Sequence, residues 1–170
     1  MTDQHYQDLL ASQRPRTSYD GATIDLIAGT VGNITSAAAN NWPISGAVVT
    51  VEPGKSLDYA IPALDRAFLY VLSGAIDIAG RHVTAGQVAW SEPMRGADTS
   101  SICLSAADAD ADEPTVVMVY SGAPIAEPVE FGGPFVMNSK VAARAYGAAS
   151  AASMARRSRA DVRQVHITPS

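Results

Sequence analysis

Between residues 66 and 90 the chain passes through short β-prone stretches, each closed by a glycine-bearing pair. Arg66-Ala67-Phe68-Leu69-Tyr70-Val71-Leu72 ends on Ser73-Gly74, residues 75–78 end on Ala79-Gly80, and residues 81–84 end on Ala85-Gly86, before a last stretch over 87–90. Runs of this length are too short for a globular helix, and glycine at each break supplies the positive φ of a tight reversal. A chain that must turn back so often can bury its apolar side chains only as a small β-sandwich or barrel.

The flanking segments continue the pattern. Residues 22–30 alternate Ile24, Leu26 and Ala28 against Asp25, the period of a half-buried strand. Residues 46–52 form another and stop at Pro53-Gly54; residues 99–104 and 115–121 supply two more. Residues 6–12 suggest a short helix. Residues 31–43 read as a long loop, and residues 106–113, with Asp108, Asp110, Asp112 and Glu113 among alanines, as a solvated one. Pro124, Pro128 and Pro134 argue against regular structure over 124–134. Asn138 and Ser139 then offer N-caps for a helix over about 140–157, striped by Val141, Ala145, Ala148 and Ala152. Arg156, Arg157, Arg159 and Arg163 follow as a basic, solvated end. The organisation expected is a β domain with its lead-in over 1–137, a helix over 138–160 packed on it or on a partner, and a tail over 161–170.

At 170 residues the chain is long enough for one self-sufficient core. A net charge of −5 argues against direct nucleic-acid binding, which needs a basic face. The single Cys103 excludes an internal disulfide and a cysteine-based zinc cluster. No apolar run approaches a membrane span, and the polar start lacks a secretion signal. Cytoplasmic location without membrane contact is the expectation.

Ser121-Gly122-Ala123-Pro124-Ile125-Ala126-Glu127-Pro128-Val129, then Gly133-Pro134-Phe135-Val136-Met137-Asn138-Ser139, resembles the closing signature of the pirin family. His5-Tyr6-Gln7-Asp8-Leu9, Ile27-Ala28-Gly29, Val49-Thr50-Val51-Glu52-Pro53-Gly54 and Ala67-Phe68-Leu69-Tyr70-Val71-Leu72-Ser73-Gly74 follow the family's C-terminal domain in order. The resemblance runs from about Tyr6 to Met154. It implies a mainly β, cupin-type barrel or sandwich (a double-stranded β-helix) with a C-terminal α-helix. Pirins are bicupins whose iron sits in the N-terminal cupin. This chain looks like the C-terminal half with its own start at Met1.

The resemblance also allows the metal motif to be traced. Metal-bearing cupins carry Gly-x5-His-x-His-x4-Glu-x6-Gly. Gly54 and Gly74 frame it here, with Ala60, Pro62 and Ala67 at the ligand positions; Thr99, beside Asp98, stands where the last His belongs. No cofactor and no metal are therefore expected, because a lone carboxylate does not hold iron, manganese or zinc. His5, His82 and His166 are isolated in sequence, and His82 reads as a surface or edge residue.

Alternation from the traced ligand positions puts Asp58, Ala60 and Pro62 inside, with Ala67, Leu69 and Val71 and with Thr99, Ser101 and Cys103. Asp58, Tyr120 and Thr99 are the candidate catalytic groups: an inward Asp58 in an apolar pocket would be an acid or base of raised pKa, and the hydroxyls would polarise a ligand. Leu69, Val71, Trp90, Ser101, Cys103 and Met118 are the candidate substrate contacts. The same residues also fit a filled barrel, with Asp58 solvated at a strand end, Tyr120 a core residue with a wet tip and Cys103 a small buried hydrophobe. No nucleophile elbow or phosphate loop is present.

The function expected is a metal-free cupin that binds a small apolar organic molecule. Its catalytic form would be a cofactor-independent isomerase or cyclase that preorganises its substrate. The alternative is a non-catalytic regulatory module docking onto a separate cupin or a transcription factor. Quercetinase-type dioxygenase activity, seen for some pirins, is the weakest option for want of ligands. A C-terminal cupin without its sister domain exposes apolar surface, so a homodimer is expected, through the 124–138 segment or the Ala-rich helix.

Overall fold

The structure, a computed structural model, describes residues 6–96, 98–106, 111–132, 135–141 and 144. It divides into two compact units, one up to Pro124 and one from Ile125 onward. A single 3-10 turn, Ala11–Gln13, stands where residues 6–12 suggested a helix.

The first unit contains β1 (Arg16–Tyr19), β2 (Ala22–Ala28), β3 (Thr30–Val31), β4 (Ile34–Thr35), β5 (Ile44–Val51) and β6 (Ser56–Pro62). It continues through β7 (Arg66–Ser73), β8 (Ala75–Ile78), β9 (Arg81–Thr84), β10 (Val88–Trp90), β11 (Thr99–Ser105) and β12 (Thr115–Gly122). A six-stranded sheet has the order β1-β2-β5-β12-β7-β10, and a four-stranded sheet the order β6-β11-β8-β9. The pairings given are all antiparallel, as short hairpin connections require. Of barrel and sandwich, the sandwich is the form taken, because the two sheets end on separate edges, β10 on one and β9 on the other.

Alternation decides which side chains fill the sandwich. Strand β2 buries Ala22, Ile24, Leu26 and Ala28, and β12 buries Val117 and Val119 between half-exposed neighbours. Opposite them, Leu57, Tyr59 and Ile61 of β6 and Ile102 and Leu104 of β11 face into the same core. Each such large side chain contributes roughly 1.5–3 kcal/mol by leaving water.

The turns work as the glycines suggest. Gly74, at φ 77°, joins β7 to β8 so tightly that a Cβ there would lie 2.6 Å from Thr115 Oγ1. That hydroxyl donates to Ala75 O at 2.9 Å. The β8–β9 turn is unusual in placing Ala79 at φ 48° before Gly80 at φ 77°. Residue 79 thus pays the steric cost of a left-handed alanine, about 1–2 kcal/mol.

The long loop expected over 31–43 is shortened at its start by the β3–β4 ladder, and β1 adds an edge strand that composition did not signal. In the second unit, β13 (Glu130–Gly132) pairs with β14 (Phe135–Met137), with Phe131 opposite Val136. This corrects the irregular reading of 124–134: Pro124 and Pro128 precede the ladder and interrupt none of its hydrogen bonds. The helix and basic tail expected beyond residue 140 lie almost wholly outside the described residues. No described helix is long and apolar enough to cross a membrane.

Candidate functional site

A pocket of about 850 Å³ opens between the free edges of the two sheets. Its floor is apolar: Ile61, Leu69, Ile78, Val83, Ala89 and Ile102 project into it from β6, β7, β8, β9, β10 and β11. All but Ala89 are buried, and Ala89 packs on the core from its place opposite Leu69. The rim is polar, with Arg81, His82, Gln87, Ser91, Glu92, Ser100 and Ser101. Around the pocket, β10, only three residues long, forms one edge of the six-stranded sheet, and β9 forms one edge of the four-stranded sheet.

The phase of β6 differs from the traced motif. Its burial alternates with Leu57, Tyr59 and Ile61 inside and Ser56, Asp58, Ala60 and Pro62 exposed. Asp58, expected to be an inward acid, therefore stands on the outer face. Strand β11 is shifted in the same sense. Thr99, Ser101 and Cys103 are exposed, and Ile102 and Leu104 are the inward pair, opposite Tyr59 and Leu57. Cys103 is thus neither an inner-wall residue nor a buried hydrophobe. A slip of one residue transfers a whole set of side chains to the other face.

The remaining candidates divide. Ala67, Leu69 and Val71 of β7 are inward as expected, and Leu69 lines the pocket while Val71 lies in the core. Met118 and Tyr120 are half-exposed on the outer side of the six-stranded sheet. Trp90, 70% exposed, stands opposite Phe68 at the pocket mouth, with ring centroids 4.8 Å apart and planes at 62°. Ser101 touches the rim. Asp58, Thr99 and Tyr120 are absent from the lining, so the structure does not bring the three candidate catalytic groups together there.

The pocket's own polar groups were not singled out as a set. His82 is paired across the β8–β9 ladder, its Nδ1 2.9 Å from Asp77 Oδ1. Glu92 accepts two hydrogen bonds from Arg66, from Nε at 3.1 Å and Nη2 at 2.9 Å. The signal that could have found them is hairpin pairing: the Ala79-Gly80 turn fixes which residues of β8 and β9 oppose each other.

A resident iron does not fit these side chains. The inward positions along the traced motif hold Tyr59, Ile61 and Ala67, and Ile102 faces Tyr59. None is an imidazole or a carboxylate. Burial pushes the Tyr59 phenol up to about 12. Among the described residues no group of three or more His, Cys, Asp or Glu side chains is placed to hold a metal ion. Elsewhere, Asp65 in the β6–β7 turn is raised by burial, partly offset by a hydrogen bond with Ser121.

Comparison with known proteins agrees with this architecture. Residues 46–146 match the Pirin C-terminal cupin domain. A pirin-like protein of Solanum lycopersicum is 27% identical over 140 residues, covering 82% of this chain and 46% of that protein. Pirin of Homo sapiens is 27% identical over 139 residues, covering 82% of this chain and 47% of that one. A crystal structure of quercetin 2,3-dioxygenase from Acinetobacter baumannii superposes with a TM-score of 0.69 at 23% identity, over 95% of this chain and 52% of that one. This last likeness is one of fold. The chain spans about half the length of the curated relatives it matches.

Proposed function

Because this chain belongs to the pirin family and carries its C-terminal cupin domain, we propose that it is a binding cupin that takes a small, flat, largely apolar organic molecule between its sheet edges. The observation that supports this most is the pocket of about 850 Å³, with an apolar floor of six converging side chains and a polar rim. A concave site of this volume, with an apolar floor and polar groups gathered at its rim, is a common form of small-molecule site. The chemistry such a pocket favours is isomerisation or cyclisation by holding one reactive conformer. The groups expected to assist it, Asp58, Thr99 and Tyr120, do not line the pocket, so binding is the role proposed and turnover is not. Dioxygenase chemistry of the kind named for some relatives would need metal ligands at positions that Tyr59, Ile61 and Ala67 occupy.

The test is a titration of the protein with 1-naphthamide, a neutral flat probe, followed by backbone and methyl NMR. The expected result is saturable one-to-one binding with shifts centred on Ile61, Leu69, Ile78, Val83, Ala89 and Ile102. Shifts scattered over the surface, or none, would overturn the reading.

A second reading, a docking module, is favoured by a different observation. The outer side of the six-stranded sheet carries two cross-strand rows, Trp90–Phe68–Tyr120 and Val88–Tyr70–Met118–Val48. Trp90 and Val88 are 70% and 43% exposed. Contiguous apolar surface of this kind marks interaction sites. The occupant proposed is a second copy of this chain. Light scattering should then report a dimer at micromolar concentration that V88K shifts toward monomer; a monomer throughout would remove this reading.

A further inference from the structure

The pocket has one cation that nothing in the described structure neutralises. Arg81 stands directly opposite Ile78 in the β8–β9 ladder, and Val83 opposite Ile76. Ile76, Ile78 and Val83 are buried on the inner face. Directly opposed residues of an antiparallel pair share a face, so Arg81 is carried on the inner side of the sheet, at its free edge, where it lines the pocket. The described carboxylates of the lining and of the β8–β9 ladder are engaged elsewhere. Glu92, the one acid of the lining, is held by Arg66, and Asp77 is on the opposite face with His82. Among the described residues, no carboxylate pairs with Arg81.

Resting on the pocket reading above, we propose that Arg81 makes the site selective for aromatic carboxylates: a flat apolar body on the floor, with its anionic group on the guanidinium at the mouth. The planar N–H fork of arginine matches the two oxygens of a carboxylate. An apolar surround strengthens that pairing, while exposure at the mouth weakens it, so a roughly tenfold preference over a neutral isostere is expected. His82, also at the rim, is paired through Nδ1 with Asp77.

The experiment compares 1-naphthoate with 1-naphthamide by isothermal titration, on the protein and on Arg81→Gln at low and moderate salt. The wild-type protein should bind naphthoate about tenfold more tightly, and salt should erode the gap. Arg81→Gln should lose the preference, its naphthoate affinity falling far more than its naphthamide affinity, and naphthamide binding that stays saturable and one-to-one shows the pocket intact. Equal binding of the two probes by the wild-type protein, or a preference that survives in Arg81→Gln, overturns the role of Arg81 and leaves the pocket reading standing. Failure of both probes to bind the wild-type protein overturns the pocket reading, and this inference with it.

Discussion

Tyr59→Asn should remove most of the stability of this domain, whereas Ala60→Asn next to it should change almost nothing. Tyr59 is 1% exposed and faces Ile102 across the β6–β11 ladder; Ala60 is exposed and faces Ser101. Deleting a buried aromatic ring costs about 3–5 kcal/mol. Leaving the new amide without a partner adds about 1–3 kcal/mol. Domains of this size are stable by only about 5–15 kcal/mol, so Tyr59→Asn is expected to be largely unfolded or close to it. Ala60→Asn places the amide in water and should stay within about 0.5 kcal/mol of the parent. Urea unfolding curves with comparable slopes measure both. The reverse order of effects would mean that β6 presents Ala60 and Pro62 to the interior, as the traced motif implied. The pocket floor would then have to be rebuilt around them.

That comparison bears on what could be read from the chain. The stretch from residue 66 to residue 90 was legible almost to the residue, because each hairpin is set by its own glycine and by local alternation. The inward set of β7 followed from the same local rule. Strand β6 went out of phase because its reading was anchored on Gly54 and a motif spacing. The apolar alternation of Leu57, Tyr59 and Ile61 against Ser56, Asp58 and Ala60 already pointed to the observed phase. In β11 the larger apolar side chains, Ile102 and Leu104, likewise outweigh the register inferred from Thr99. The pocket was not legible, because it depends on how far apart two sheet edges end. That distance follows from long-range packing, and no local pattern encodes it. Arg81 is the instructive case: its face becomes apparent once the Ala79-Gly80 turn pairs it with Ile78, but that no described carboxylate pairs with it goes with Arg66 reaching Glu92 from another strand.

Filling the floor should abolish ligand capture without unfolding the protein. Ala89 is the position for this, since it faces Leu69, packs on the core from a partly buried site and lines the pocket. In Ala89→Phe the added ring has open space to enter, so the overpacking cost should stay at or below about 1–3 kcal/mol. A ring that buries itself there gains about 1.5–3 kcal/mol, which any ligand must return in order to displace it. Affinity for 1-naphthamide should therefore fall roughly 10- to 100-fold in calorimetry. Asp58→Asn is the matching control, because the exposed carboxylate on the outer face of β6 has no path to the pocket. It should bind the probe as the parent does. Unchanged binding in Ala89→Phe would place the ligand elsewhere and turn attention to the aromatic rows on the outer side of the six-stranded sheet. Loss of binding in Asp58→Asn would restore the inward phase of β6 and, with it, an acid at the site.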